Sequence, residues 1–285
     1  MPRQLDPSAP RRASRPPHPV ALVGAGPGDP ELLTLKAVKA LQQASVILVD
    51  DLVGQAVLDA HAHPQARIVR VGKRGGCRST PQDFIERLMI RCARRGERVV
   101  RLKGGDPFIF GRGGEEVQHL QAAGLQVEVI NGITSGLAAV SSLNTPLTHR
   151  DHAQGVVLIT GHPRERGQPL DWSELGRSAH ALRLTLVVYM GMAGLAEIAL
   201  ALQQGLPAQT PALVVQNAAC PGQRQVLGCL CDIAALAQEA GLGSPAVVVI
   251  GDVLTGLQAA QEGASSDSME VGPTSAWASM RASAS

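Results

Sequence analysis

From Val20 onward, short apolar runs alternate with longer stretches whose apolar residues recur every three or four positions. Val20-Ala-Leu-Val23, Val46-Ile-Leu-Val49, Ile68-Val-Arg-Val71, Val99-Val-Arg-Leu102 and Val127-Glu-Val-Ile130 read as buried strands. A helix is predicted after its cap Thr34, with Leu35, Val38 and Leu41 on one face and Lys36, Lys39 and Gln42 on the other. Thr80-Pro-Gln-Asp83 predicts another helix start: a capping Thr, Pro at the first helical position and an acid three residues after the cap. That helix buries Ile85, Leu88, Met89 and Cys92 and turns Arg87, Arg91, Arg94 and Arg95 to solvent. Gly132-Ile-Thr-Ser135 opens a third helix, and further strands are predicted at Val156-Val-Leu-Ile159, 184–189, 212–215 and 246–250.

Strands alternating with helices at this spacing predict an α/β fold with a mainly parallel sheet wound on both faces. The segment Asn144-Thr-Pro-Leu-Thr-His-Arg-Asp151 interrupts the rhythm. It divides the chain into an N-terminal α/β lobe over 19–146 and a second, more mixed α/β lobe over 147–257. Residues 1–18 and 258–285 have no period and read as disordered tails.

Composition narrows the function classes. Of 285 residues 45% are hydrophobic and 18% charged, which suits a folded chain, and only 2% are aromatic, which disfavours base-stacking on single-stranded nucleic acid. A net charge of +2 asks for no nucleic-acid partner. No apolar run approaches the ~20 residues of a membrane span, and residues 1–18 lack a signal-peptide core, so a cytoplasmic protein is expected. The five cysteines are scattered. Cys229-Leu-Cys231 has no second Cys/His pair to complete a zinc site, so the thiols are read as reduced and no metal is expected.

Three glycine-containing loops, 24–30, 103–107 and 131–135, follow predicted strands and should face one crevice at the carboxyl ends of the sheet. The first invites a dinucleotide reading, but the third glycine of that fingerprint falls on Asp29 and Pro27 removes a backbone donor, although Asp50-Asp51 sits where a ribose-binding acid would. A nicotinamide dehydrogenase is therefore disfavoured. Glycine backbone flanked by carboxylates suits a cationic ligand, such as a sulfonium, better than a phosphate; tight turns with no ligand are the plainer alternative.

Val23-Gly-Ala-Gly-Pro-Gly-Asp-Pro-Glu-Leu-Leu-Thr-Leu-Lys-Ala37 resembles the opening signature of the tetrapyrrole methylase family. Val71-Gly-Lys-Arg-Gly75, the block from Val100 through Gly104-Gly-Asp-Pro-Phe-Ile-Phe-Gly-Arg112 to Glu116, and Pro146-Leu-Thr-His-Arg-Asp151 are similar to the branch that methylates uroporphyrinogen III twice, giving precorrin-2 for sirohaem and cobalamin. The resemblance spans roughly residues 20–256. A later corrin precursor is the nearest alternative substrate, and a non-catalytic binder on the same scaffold another.

The resemblance implies S-adenosylmethionine as cofactor, with S-adenosylhomocysteine as product, in a cleft between the lobes. It assigns cofactor binding to Pro27, Gly104, Gly105, Asp106, Ile109, Thr134, Ser135, Met190, Ala218 and Ala246. Asp50 and Lys73 match the family's acid–base pair; from the residues alone a helix cap after the second strand is the lesser alternative for Asp50, while Lys73 reads equally as a surface lysine and Met190 as core. The substrate's acetates and propionates call for cations, for which Arg150, His149, Arg74, Arg112 and Arg78 are candidates. Asn131, Ser135, Ala218 and Asp51 depart from the usual pattern, and Asp51 places a second carboxylate beside Asp50. A homodimer is implied. With nineteen residues before Val20, no fused dehydrogenase/chelatase module is expected.

Overall fold

The computed structural model of the chain describes residues 18–72, 80–162 and 170–259, so the tails read at 1–18 and 258–285 fall almost wholly outside the described residues. Two compact units divide between Ser135 and Gly136. In the first, β1 (Val20–Gly24), β2 (Val46–Val49), β3 (Arg67–Arg70), β4 (Val99–Lys103) and β5 (Val127–Ile130) form an all-parallel sheet in the order β3-β2-β4-β1-β5.

Alternation along the three central strands, β2, β4 and β1, explains why they are largely apolar, whereas the edge strands β3 and β5 carry exposed charged residues. Ala21, Val23, Ile47, Val49, Val100 and Leu102 pack on one face against α1 (Leu35–Gln43) and α2 (Gln55–His61). Val20, Leu22, Val46, Leu48 and Val99 pack on the other against α3 (Gln82–Arg94) and α4 (Gly113–Ala122). Thr34 caps α1 as predicted, its hydroxyl accepting from the Ala37 N–H at 3.2 Å. The buried face is centred on Ala37 and Leu41, however, and Leu35, the first residue of the helix, is 80% exposed. Thr80 does not cap α3: Pro81 holds that position, and the Thr80 hydroxyl donates instead to the Gly72 carbonyl at 3.2 Å.

In the second unit α5 (Ser135–Ser141), β6 (Gly155–Thr160), α6 (Trp172–Leu182), β7 (Leu184–Tyr189), α7 (Leu195–Leu202), β8 (Pro211–Gln216), β9 (Arg224–Cys229), α8 (Ile233–Glu239) and β10 (Ala246–Ile250) follow in turn. The sheet order is β6-β7-β10-β8-β9. Only β6 and β7 pair in parallel; β10 runs antiparallel to both β7 and β8, and β8 antiparallel to β9. This is the mixed second sheet that was expected. Leu186, Val188, Ala212, Val214, Val248 and Ile250 line one of its faces, against Ala199 and Leu202 of α7 and Ile233 and Ala237 of α8.

Strand β9 was not foreseen. Arg-Gln-Val-Leu-Gly-Cys lacks an apolar period because β9 is an edge strand paired on one side only. The division of the chain lies ahead of the break read at Asn144–Asp151 because α5 is bound to β7. The Gly136 N–H donates to the Tyr189 hydroxyl at 3.0 Å, and a Cβ at Gly136 would lie 2.3 Å from that oxygen. No described helix is long and apolar enough to cross a membrane.

Met89 is fully buried between α3 and the first sheet. Met89→Ala is expected to cost about 2–5 kcal/mol in the denaturant-unfolding transition of that unit; a loss below ~1 kcal/mol would mean the helix is not seated there.

Candidate functional site

Because every strand of the first sheet runs the same way, all its carboxyl-end loops gather along one edge. The topology switches between β1 and β4: α1, after β1, covers one face, and α4, after β4, covers the other. At this split the Gly26 and Gly105 backbones exchange hydrogen bonds, 2.8 Å from the Gly105 N–H and 3.2 Å from the Gly26 N–H. Both residues take positive φ, +70° and +66°, which glycine adopts without strain. A Cβ on Gly24 would stand 2.5 Å from the Gly132 nitrogen, and one on Gly132 would stand 2.3 Å from the Gly105 carbonyl oxygen. The three loops are thus held by backbone in direct contact with backbone.

Asp106, 7% exposed, ties the same loops together. Its carboxylate accepts from the Phe108 N–H at 2.8 Å, the Asn131 amide at 3.0 Å and the Gly132 N–H at 3.2 Å. Asn131, noted only as a departure from the family pattern, is therefore a partner of Asp106. Asp29 accepts from the Glu31 N–H at 2.8 Å and caps a 3-10 turn, Pro30–Leu32, that separates the loop from α1. The glycine loop therefore does not run straight into a helix N-terminus, as a pyrophosphate site requires.

Asp50 follows β2 at this edge and does not cap α2, whose N-cap is Gly54. One carboxylate oxygen accepts from the Asp51 N–H at 2.9 Å, and the other lies 3.6 Å from the Arg101 guanidinium. Asp51 leans the opposite way, toward β3: a Cβ on Gly72 would be 1.9 Å from its carboxyl carbon. The adjacent carboxylates diverge toward the two neighbours of β2.

Beneath Asp50 lies a buried charge cluster that the sequence analysis missed. Arg101 and Lys103 of β4 point to the α3–α4 face, each under 5% exposed. Glu116 of α4, fully buried, approaches the Arg101 Nε at 3.1 Å and the Lys103 ammonium at 3.3 Å, and accepts from the Gln82 amide at 3.0 Å. Burial, and then the Arg101 charge, lowers the Lys103 pKa from its ordinary value against the pull of Glu116. The available signal was two basic residues at i and i+2 within an apolar strand, which demand a buried counter-charge.

Leu52, Phe108 and Phe110 stand exposed on this edge. They include two of the chain's three phenylalanines. Pro27, Ile109 and Ser135 are half-buried, and Thr134 is buried.

In the second unit, antiparallel pairing brings three of the predicted cofactor residues to one end of the sheet. The start of β10 lies beside the ends of β7 and β8, with Val247 opposite Tyr189 and Ala246 opposite Gln216. Met190, immediately beyond β7, is half-exposed at φ +54°, so it is not core; Asn217 and Ala219, flanking buried Ala218, also take positive φ. Left-handed backbone at non-glycine residues is costly and concentrates at functional sites.

Of the predicted anion-binding residues, Arg150 is exposed and, among the described residues, its side chain makes no hydrogen bond or ion pair. His149 accepts from the Asp151 N–H at 3.2 Å. Arg112 forks onto Glu115 with contacts of 2.5–3.2 Å. Lys73, Arg74 and Arg78 lie outside the described residues.

Residues 19–234 match the model of the tetrapyrrole (corrin/porphyrin) methylases. A uroporphyrinogen-III C-methyltransferase of Pseudomonas aeruginosa is 55% identical over 238 residues, 82% of this chain and 93% of that protein. The crystal structure of the Thermus thermophilus uroporphyrin-III C-methyl transferase complexed with S-adenyl homocysteine is similar with a TM-score of 0.70 and 43% identity, over 84% of this chain and 99% of that one. A cobalt precorrin-4 methyltransferase superposes with a TM-score of 0.73 at 28% identity, over 82% and 95%.

The charge cluster yields a test that activity does not enter. Glu116→Gln leaves two buried cations short of a counter-charge and is expected to cost about 3–5 kcal/mol of unfolding free energy. Adding Lys103→Met should recover at least ~1 kcal/mol of that loss; strictly additive effects in the double-mutant cycle would mean the two side chains do not interact.

Proposed function

We propose that this chain, which belongs to the tetrapyrrole (corrin/porphyrin) methylase family, transfers two methyl groups from S-adenosylmethionine to uroporphyrinogen III, giving precorrin-2. The observation that carries this reading is the carboxyl edge of the first sheet. There the partly exposed Asp50 carboxylate stands over buried Arg101, beside close-packed glycine loops and an apolar rim. Identity to relatives named for this reaction supports the choice of substrate; the corrin methyltransferase shares the fold at much lower identity, so the fold alone does not choose between them.

The cofactor supplies an electrophilic methyl on a sulfonium. Gly104, Gly105 and Thr134 in the first unit and Ala218 and Ala246 in the second suit it, because small residues and bare backbone admit an adenosine closely, and half-exposed Met190 offers it an apolar side chain. Pro27, Ile109 and Ser135 complete the assignment. Asp106 takes part through its loops, since its own oxygens already accept three protein N–H groups.

The substrate's electron-rich pyrrole carbon forms the new C–C bond as the C–S bond breaks, leaving a cationic ring and S-adenosylhomocysteine. Asp50 stabilises that cation and accepts the proton whose loss restores the double bonds. Lys73 supplies a proton or pairs with a substrate carboxylate. Arg150, His149 and Arg74 bind the acetates and propionates, and Arg112 joins them by exchanging Glu115 for a substrate carboxylate. The same proposal holds that the enzyme acts as a cytoplasmic homodimer and feeds both sirohaem and cobalamin synthesis.

Incubation with uroporphyrinogen III and methyl-labelled cofactor should yield doubly labelled precorrin-2; label appearing only with later corrin precursors would overturn the substrate. Asp50→Ala is expected to lower turnover by about 10²–10⁴-fold while calorimetric affinity for S-adenosylhomocysteine stays within about twofold. Unchanged turnover removes Asp50 from the mechanism. Arg150→Ala should raise the KM for the tetrapyrrole by about tenfold or more, one charge-assisted hydrogen bond's worth, and leave the cofactor KM alone; equal effects on both would refute a substrate role.

A further inference from the structure

The second sheet has another end, opposite the one that carries Met190 and Ala246. There β9 finishes with Cys229 paired to Pro211, the first residue of β8. The chain then turns through Leu230, Cys231 and Asp232 into α8. Leu230 is buried and its N–H donates to the Thr210 carbonyl at 2.8 Å, while the Cys231 N–H donates to Ala208 at 3.0 Å and the Asp232 N–H to Cys229 at 3.1 Å. The turn is therefore fixed by backbone bonds, and the side chains on either side of Leu230 are brought together.

The ligand atoms of Cys229, Cys231 and Asp232 lie within 4.8 Å of one another. Asp232 is drawn in because its Oδ1 accepts from the Cys229 N–H at 2.7 Å, in space that exists only because residue 228 is glycine: a Cβ there would lie 2.5 Å from that oxygen. The Gln258 and Gln209 amides stand 4.0 and 3.9 Å from the two sulfurs. Among the described residues, none of the ion pairs involves Asp232. Burial first, then Asp232 and Cys231, pushes the Cys229 thiol up.

We propose that Cys229, Cys231 and Asp232 form a three-ligand site for a zinc-like divalent cation, with water as the fourth ligand. Two sulfurs and one carboxylate oxygen are the donor set of a borderline-soft metal; calcium and magnesium require oxygen alone. Sulfurs bound at about 2.3 Å in a tetrahedral site stand roughly 3.8 Å apart, within the 4.8 Å that already contains the three ligand atoms. Both thiols give up their protons to solvent as the metal binds, so each bound cation releases two protons. The spacing Cys-x-Cys-Asp is incomplete as a zinc motif in sequence; the turn and Gly228 supply the third ligand.

The full-length chain, reduced with a phosphine, would be titrated with Co²⁺ and then Zn²⁺. One equivalent of Co²⁺ is expected to give the intense visible bands of a four-coordinate, thiolate-bound ion, bleached by Zn²⁺. Cys229→Ser/Cys231→Ser should abolish the bands with methyl transfer within about twofold of the parent, and Asp232→Asn should weaken binding at least about tenfold. Absence of the bands, or their survival in the double serine variant, overturns the site. So does a Cys229–Cys231 disulfide found by mass spectrometry in protein alkylated directly from cells.

Discussion

Three backbone segments meet at Gly24, Gly105 and Gly132 at distances no side chain tolerates, and the candidate site depends on that contact. Parallel strands only bring loops to a common edge; they do not say how far those loops stand apart. Here the loops after β1, β4 and β5 are closed on one another by glycine packing, by the paired hydrogen bonds between Gly26 and Gly105, and by the three N–H groups gathered on Asp106. The glycines thus serve the protein's own packing as well as a ligand's approach. One small side chain at Gly24 or Gly132 would push apart the edge that carries Asp50.

Charge is organised in depth behind that edge. Glu116 is shared between Arg101 and Lys103, all three almost wholly buried, and Arg101 also reaches Asp50, which is 31% exposed. Such a cluster is weak evidence of added stability, since desolvation offsets much of the attraction. Its consequence is positional: a carboxylate at the surface faces a buried guanidinium that Glu116 and the Leu102 carbonyl hold in place. The neighbouring Asp51 is turned toward β3, so two adjacent acids occupy different environments, with only Asp50 standing over the buried cations.

The second unit reaches a comparable arrangement by different means. Its mixed sheet places the start of β10 beside the ends of β7 and β8, so residues from three separate parts of the chain converge at one end. Left-handed backbone at Met190, Asn217 and Ala219 concentrates there. The opposite end collects two thiols and a carboxylate, so the two ends of one sheet carry different chemistry.

The strands that the sequence determined by itself are those buried by neighbours on both sides, because such a strand must be apolar whatever its partner. That made the interior strands β2, β7 and β10 legible to the residue, and with them two α/β sheets. Edge strand β9 was not, since half its environment is solvent and its order comes from β8. Turn chemistry was legible where it is local, as at the Thr34 cap, and illegible where a distant carbonyl competed, as when Gly72 claimed the Thr80 hydroxyl. The family motifs marked Asp50, Asp106 and the glycines, but only tertiary structure decided what each one touches. Glu116 between Arg101 and Lys103, Asn131 on Asp106, and Asp232 beside Cys229 and Cys231 all depend on elements meeting in space. A buried charge needs a partner, but its own sequence neighbourhood does not specify which residue the fold will deliver.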